Sequence, residues 1–286
     1  MRLKFIVKII FVSVYILTST ITDGFSKVIV TQKDKSILEE KLNKFSSKHN
    51  LSTGALMLAI GADFKGTPYV AQTLDRETEE NLVVNLRELD CTTFVESCLA
   101  IARTIKSGNS SFDTFKTELE KIRYRSGHLD GYVSRLHYFS EWITDNETKG
   151  IVKDVTSDLG GVRYPLSLDF MGVHPNSYPQ LKKNPPLVRQ IKLIEKRISK
   201  HTYYSIPKEM VPDHESQFAD GDIIALSTKI AGLDVSHLGL ICRINGQLYL
   251  LNASSRGGMV ETTPVSLYSY LKNSKITSGI FVVRAI

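Results

Sequence analysis

The amino-acid sequence predicts an α+β fold, in which helices near the N-terminus pack on an antiparallel sheet near the C-terminus. Apolar residues recur at helical spacing in the first half of the chain, and beyond Gly221 the pattern changes to strand-like segments. The strand-like segments are DIIALST, VSHLGLIC, QLYLLNAS and GIFVVRAI. No internal repeat, low-complexity tract or Gly/Ser linker divides the chain, so residues 27–286 are expected to form a single domain.

Four segments carry the periodicity of an amphipathic helix. They are residues 31–50, 110–123, 132–143 and 187–198. Between about 145 and 220 the chain is rich in turn residues and contains only the last of these helices. The predicted domain therefore carries an insertion of helices and loops around residues 110–220.

Residues 1–26 have the organisation of a secretory signal peptide. Arg2, Lys4 and Lys8 precede an apolar run from Ile9 to Leu17, and small and polar residues follow. The run is shorter than the roughly 20 apolar residues that span a membrane, so cleavage near Ser26 is expected to leave no stable membrane span. The mature protein is predicted to be exported.

The charged residues indicate neither nucleic-acid binding nor a metal centre. Lys+Arg number 36 and Asp+Glu 30, and beyond the leader the two signs are interspersed without a basic block. The mild excess of positive charge suits an anionic partner without identifying one. The seven histidines are scattered and show no zinc-binding spacing, and no phosphate-binding loop is present, so no metal and no cofactor are expected.

The three cysteines do not predict a disulfide framework. Cys91 and Cys98 would lie about 10.5 Å apart along one helix, at 1.5 Å per residue, which is too far for a bridge. Cys98 and Cys242 stand inside apolar runs, which favours packing in the core. At least one thiol of an odd set is unpaired within the chain.

Cys91 stands where a polar segment gives way to an apolar helical pattern. Asp90 is a suitable N-cap, which would place Cys91 in the first helical turn. Free N–H groups and the positive end of the helix dipole favour a thiolate there, and could hold the oxyanion of an acyl-transfer intermediate. A small buried core residue is the alternative reading of Cys91.

A predicted hairpin brings a histidine and an asparagine to one face of the sheet. Asn245-Gly246 is the dipeptide most typical of a two-residue hairpin loop. With that loop, the residue numbers of any two directly opposed residues on the two strands add up to 491. His237 and Asn252 then become diagonal neighbours, with Gly239 leaving room between them. Asn252 could orient the imidazole, which could then accept the proton of Cys91. A register shifted by one residue would separate the two side chains, and a structural histidine is the alternative.

The order Cys, His, Asn, with the cysteine on a helix and the others on a following sheet, resembles the papain-like, NlpC-type cell-wall hydrolases. Five blocks in order resemble the N-acetylmuramoyl-L-alanine amidase-like branch of that superfamily more closely. They are GTPYVAQTLD, VVNLRELDCTTFVE, YVSRLHYFSEWITDN, LDFMGVHPNSYPQL and HLGLICRINGQLYLLNASS. The resemblance implies a papain-like fold with Cys91 as nucleophile, His237 as base and Asn252 as third residue. Related sequences often have His at this third catalytic position, so Asn252 differs from the residue type that is common in the family.

The resemblance also implies residues that contact the substrate. Tyr69 matches a tyrosine that shapes the oxyanion site, although a packing aromatic is the alternative. The block SRLHYFSEW supplies further candidate contacts to a sugar-peptide ligand, and an ordinary solvated helix with a buried Trp is the alternative reading. These candidates are Arg135, His137, Tyr138 and Trp142.

The implied activity is hydrolysis of the amide between N-acetylmuramic acid and L-alanine in peptidoglycan fragments. The implied location is the periplasm or the exterior of a bacterium. One alternative is an endopeptidase that cuts the stem peptide between D-glutamate and the diamino acid. Another is a non-catalytic module that binds muropeptides.

Overall fold

The computed structural model describes residues 27–286, and the predicted signal peptide, residues 1–26, lies outside the described residues. Nine α-helices are present in the described part: α1 Gln32–Phe45, α2 Thr53–Asp63, α3 Cys91–Lys106, α4 Phe112–Arg123, α5 Phe139–Thr148, α6 Phe170–Val173, α7 Pro185–Ile198, α8 Val211–His214 and α9 Leu267–Asn273. Ten β-strands accompany them: β1 Val28–Val30, β2 Leu82–Val84, β3 Val152–Asp154, β4 Val162–Tyr164, β5 Tyr203–Pro207, β6 Ile223–Thr228, β7 Val235–Ile244, β8 Gln247–Ser254, β9 Met259–Thr262 and β10 Thr277–Ala285.

Eight of these strands form one antiparallel sheet in the order β4-β5-β10-β6-β7-β8-β9, with β3 also pairing with β10. The remaining strands, β1 and β2, pair in parallel as a separate two-stranded sheet. The fold is therefore α+β, as the sequence predicts.

Alternation along the strands gives the large sheet two apolar faces. Leu238 and Leu240 of β7 pack towards the helices, in a core that includes Phe94 and Leu99 of α3. Ile241 of β7 belongs to a second core on the opposite face, which α9 covers. The sheet is thus buried on both sides, and α3 lies against the face that carries Leu238.

The helix predicted at residues 132–143 begins later than expected. Residues 132–134 form a single 3₁₀ turn after Gly131, whose φ is +68°, and Arg135 is extended. The α-helix starts at Phe139, where a carboxylate oxygen of Asp234 accepts the N–H of Ser140 at 2.7 Å. The start of α5 is therefore set by a distant residue rather than by local periodicity.

Two further differences concern elements that the sequence pattern did not predict. The apolar segment that contains Thr53–Asp63 is a helix, which Ser52 caps by accepting the N–H of Ala55. The segment from 110 to 220 contributes β3, β4 and β5 to the sheet, in addition to helices and loops. Short strands of three to five residues carry too little alternation to be recognised from sequence alone.

Among residues 27–286, none of the helices is both long enough and apolar enough to cross a bilayer.

A buried ion pair joins α3 to α4. Arg123 donates from Nε to Glu96 at 2.7 Å and from Nη1 to the carbonyl of Val83 at 2.7 Å. Both side chains are 3% exposed. Because Glu96→Ala would leave the guanidinium buried without its carboxylate, we expect a loss of about 3–5 kcal/mol in the free energy of unfolding.

Urea unfolding followed by circular dichroism measures this loss. The matched control is Asp113→Ala, which removes an exposed ion pair with Lys116 and should change the midpoint little. Equal midpoints for the two variants would contradict the structural role of the Glu96–Arg123 pair.

Candidate active site

Cys91 is the first residue of α3, as predicted. Asp90 is the N-cap, and its Oδ1 accepts the N–H of Thr93 at 2.8 Å. The Oγ1 of Thr93 accepts the N–H of Asp90 at 2.9 Å, which completes a capping box. The capping box fixes the direction in which the chain enters α3 and so fixes the position of the thiol.

The predicted hairpin register is confirmed. Asn245 and Gly246 have φ of 50° and 82°, and β7 pairs with β8 from Ile244↔Gln247 to Leu240↔Leu251. The Nε2 of His237 lies 2.8 Å from the Oδ1 of Asn252. Gly239 is needed for a different reason than expected, because a Cβ there would lie 2.7 Å from Leu250.

Two backbone carbonyls fix the orientation of the Asn252 amide. Its Nδ2 donates to the carbonyl of Leu250 at 3.2 Å and to that of Glu261 at 3.3 Å. The Oδ1 must then face His237 as an acceptor, so the proton of the neutral imidazole resides on Nε2. The Nδ1 atom of His237 is left as the acceptor, which is the form that a general base requires.

Cys91 meets the sheet where β7 and β8 separate. The N–H of Ile241 points towards β6, since it donates to Asp222 at 2.9 Å, and alternation turns the N–H of Leu238 towards β8. Pairing between β7 and β8 ends at Leu240↔Leu251, and the N–H of Leu238 faces the sulfur of Cys91 closely enough to lower the pKa of the thiol. The thiol is thereby held against the residue that follows His237.

The thiol and the imidazole are both neutral at rest. Burial raises the pKa of the half-buried Cys91 to about 12, and the charge of Asp90 adds to the rise. Hydrogen bonds from Leu238 and Thr92 lower that pKa only in part. Burial also lowers the pKa of His237 below its ordinary 6.5, against the opposing effect of the Asn252 hydrogen bond. The raised pKa of Cys91 and the lowered pKa of His237 favour a neutral thiol and a neutral imidazole over the thiolate that the helix start alone would favour.

Tyr69 lies beside the thiol, on a segment fixed at both ends. Its N–H donates to the carbonyl of Gly258 at 2.8 Å, and it bridges to Leu89, two residues before Cys91. Burial is the main cause that raises the pKa of the Tyr69 hydroxyl to about 12, and the nearby Cys91 and Asp90 contribute. The phenol is therefore a protonated donor near the sulfur.

The N–H of Cys91 is a second donor at this point. Within residues 27–286, no carbonyl or side chain accepts it. An N–H at the first position of a helix has no partner inside that helix, so it is available to a ligand.

Arg135 and His137 are bound to other parts of the protein. The guanidinium of Arg135, which is 7% exposed, pairs with Asp75 and lies 3.5 Å from Glu80. The Nε2 of His137 is hydrogen-bonded to the carbonyl of Tyr132 at 2.8 Å. Two carboxylates therefore already neutralise the arginine that was expected to bind a substrate carboxylate.

Tyr138 and Trp142, which the resemblance offered as ligand contacts, are both buried in the core. Tyr138 is 2% exposed and donates its hydroxyl to Glu195 at 2.7 Å. Trp142 is 1% exposed and stacks on Phe139 with a centroid separation of 4.8 Å. The alternative reading of a buried Trp on a helix is correct.

Two residues that the sequence did not indicate lie close to the candidate site. Glu261 of β9 pairs directly with Asn252, so the two side chains share one face. Burial raises the pKa of Tyr270 of α9, the charge of Arg256 lowers it, and the nearby Cys91 and Glu261 contribute to the rise. Neither β9 nor α9 was predicted, so no sequence signal placed these residues near Cys91.

Within the part of the chain that the structure describes, no group of three or more His, Cys, Asp or Glu side chains converges as a set of metal ligands.

Comparisons with known proteins identify the family of this chain. The profile of the AmiA-like family, described as N-acetylmuramoyl-L-alanine amidase-like, matches residues 59–280. A crystal structure of an N-acetylmuramoyl-L-alanine amidase from Bacteroides uniformis is 40% identical, with a TM-score of 0.79 over 82% of this chain and 99% of that chain. The chain belongs to the N-acetylmuramoyl-L-alanine amidase-like family.

Two other solved structures are similar. A protein from Bacteroides fragilis, provisionally named a xylanase, is 43% identical, with a TM-score of 0.75 over 78% of this chain and 98% of that chain. A protein from Legionella pneumophila is 23% identical, with a TM-score of 0.67 over 89% of this chain and 95% of that chain, and shows the fold alone. No curated protein sequence matches this chain.

The hydrogen bond between His237 and Asn252 makes a prediction for the imidazole. Nitrogen-detected NMR should show the Nε2–H tautomer and a pKa below 6.5, so that the ring gains its proton only as the pH falls below that value. In Asn252→Ala the pKa should fall further, since the hydrogen bond that stabilises the imidazolium is lost. An Nδ1–H tautomer, or an unchanged pKa in the variant, would contradict this arrangement.

Proposed function

We propose that this protein is an exported cysteine hydrolase of the papain-like, NlpC type, which cleaves the amide between N-acetylmuramic acid and L-alanine in peptidoglycan fragments. Membership of the amidase-like family supports the substrate class. One observation supports the cysteine chemistry: Asn252 orients His237 through a hydrogen bond of 2.8 Å, and the next residue, Leu238, directs its N–H at the sulfur of Cys91 and lowers the pKa of the thiol. The reaction needs a nucleophile, a base and an oxyanion site, and these residues supply them.

In the first step Cys91 attacks the carbonyl carbon of the lactyl group. The thiol proton passes to the free Nδ1 of His237 as the carbon–sulfur bond forms, because the thiol is not ionised at rest. Negative charge develops on the carbonyl oxygen. The N–H of Cys91 and the hydroxyl of Tyr69 are the donors placed to stabilise that oxyanion.

In the second step the bond to nitrogen breaks. The imidazolium of His237 donates its proton to the amine of L-alanine, and the stem peptide leaves while the muramyl group remains as a thioester on Cys91. Water, deprotonated by His237, then attacks the thioester and releases the muramyl carboxylic acid with a regenerated thiol. Asn252 keeps the imidazole in the required tautomer throughout both steps.

The leader supports action outside the cytoplasm. Residues 1–26 have the charged, apolar and small-residue order of a signal peptide, and peptidoglycan lies beyond the inner membrane of a bacterium. We therefore propose a periplasmic or extracellular location for the mature protein.

Glycoside hydrolysis has less support from the site. That chemistry generally uses two carboxylates on either side of the scissile bond. The carboxylate next to Cys91 in the chain, Asp90, accepts both the N–H and the hydroxyl of Thr93 as the cap of α3 and is therefore already occupied. The xylanase name of the Bacteroides fragilis relative therefore does not guide this proposal.

The test uses a defined muropeptide and the variant Cys91→Ala. We expect the wild-type protein to release the intact stem peptide, and the variant to lose about 1000-fold or more in rate because no other group near His237 can form the thioester. Mass spectrometry of the products identifies the bond that is cut. Muramyl-dipeptide as the product would instead identify a stem endopeptidase.

The matched control is Cys242→Ser, because Cys242 lies on β7 but hydrogen-bonds weakly to Tyr249 at 3.7 Å, away from His237. This variant should keep full activity. Full activity in Cys91→Ala would remove Cys91 from the mechanism, and tight binding without any turnover would favour the binding module.

A further inference from the structure

The substrate of the proposed reaction is anionic, and the arginine expected to bind it is occupied. Arg135 is buried against Asp75 and Glu80, so it offers no free face to a carboxylate. A different cation near Cys91 would have to compensate a negative charge on the substrate. The turn between β8 and β9 carries such a cation.

Arg256 lies in this turn, which is held next to the candidate site by its backbone. The N–H of Gly257 donates to the Oγ of Ser254 at 2.8 Å, and the N–H of Gly258 donates to the carbonyl of Ser254 at 2.9 Å. The carbonyl of Gly258 in turn accepts the N–H of Tyr69 at 2.8 Å. The turn is therefore attached to the segment that places the Tyr69 phenol beside the thiol.

The guanidinium of Arg256 is free to bind a ligand. Arg256 is exposed, and in the described range 27–286 no carboxylate lies within 4.0 Å of it, whereas Arg135 is held by two. An arginine fork can form two parallel hydrogen bonds with a carboxylate, which gives both affinity and direction.

Tyr270 and Glu261 are neighbours of Arg256. Burial raises the pKa of the Tyr270 hydroxyl, the positive charge of Arg256 lowers it, and the charge of Glu261 contributes to the rise. The carboxylate of Glu261 lies against Gly257, where a Cβ would be 2.1 Å from its Oε1. The missing side chain at position 257 makes room for Glu261 next to Arg256.

We propose that Arg256 is a specificity-determining residue that binds the free α-carboxylate of the second stem residue, D-glutamate, with Tyr270 and Glu261 limiting its position. This assignment rests on the proposed function. The muramyl group has no free carboxylate, because its lactyl carboxyl forms the scissile amide. The nearest free carboxylate of the substrate is the α-carboxylate of D-glutamate, the residue after L-alanine. Two residues of extended chain span about 7 Å, so this group lies within about 7 Å of the scissile nitrogen.

Two substrates that differ only in this group provide the test. One is N-acetylmuramoyl-L-alanyl-D-glutamate, and the other carries D-isoglutamine, in which an uncharged amide replaces the α-carboxylate. We expect the wild-type protein to prefer the acid by about tenfold in kcat/KM, mainly through KM, and to lose this preference at high salt. The variant Arg256→Gln should use both substrates equally, and Arg256→Lys should keep part of the preference.

The matched control is Arg163→Gln. Arg163 is also exposed and outside any ion pair among the described residues, but it lies on β4, at the opposite edge of the sheet from β9. This variant should keep the wild-type preference. Equal use of the two substrates by the wild-type protein, or a preference that survives Arg256→Gln, would overturn the assignment.

Calorimetric binding of the same two compounds separates this assignment from the proposed function. If neither compound is hydrolysed but the acid binds more tightly to the wild-type protein and not to Arg256→Gln, the amidase activity is rejected and the carboxylate site stands. If both compounds are hydrolysed without discrimination and bind equally, the amidase activity stands and the role of Arg256 is rejected.

Discussion

The position of the candidate site depends on the contact between strand β7 and the start of α3, where the backbone N–H of Leu238 faces the sulfur of Cys91 and lowers the pKa of its thiol. Strand β7 directs this N–H towards β8, but the two strands stop pairing at Leu240↔Leu251, so the donor has no strand carbonyl to bind. The first residue of α3 lies against this N–H instead. An unpaired backbone group at the end of a ladder thereby faces the residue that begins the helix.

Two local structures determine where the candidate residues lie. The capping box at Asp90 sets the direction of α3, and the Asn245-Gly246 turn sets the register that brings His237 to Asn252. The N–H of Leu238 joins the two units one residue away from the imidazole. A different helix start or a different hairpin register would move the thiol or the imidazole by several ångströms. A register shift of one residue, for example, turns every side chain of a strand to the opposite face of the sheet.

The parts of the site that sequence predicted are those with local causes. The N-cap and the hairpin register follow from residues within four positions of each other, so Cys91, His237 and Asn252 could be placed before the structure was known. The ionisation state of the thiol could not be predicted, because burial raises the pKa of Cys91 and depends on the whole fold.

The residues that sequence placed wrongly depend on tertiary contacts. Tyr138 was expected at a surface, but its hydroxyl donates to Glu195, which is 57 residues away along the chain. Arg135 was expected to face a ligand, but the chain before α3 supplies Asp75 and Glu80 to it. Short strands such as β9 carry little pattern of their own, so the neighbours that they bring to the site were also missed.

The central claim is that Cys91 becomes acylated by the muramyl group. Rapid acid quenching of the wild-type protein with a defined muropeptide, followed by peptide mapping in a mass spectrometer, tests this directly. We expect an adduct on Cys91 whose mass equals the muramyl acyl group without any amino acid. An adduct that also carries L-alanine and D-glutamate, or one on a residue other than Cys91, would contradict it.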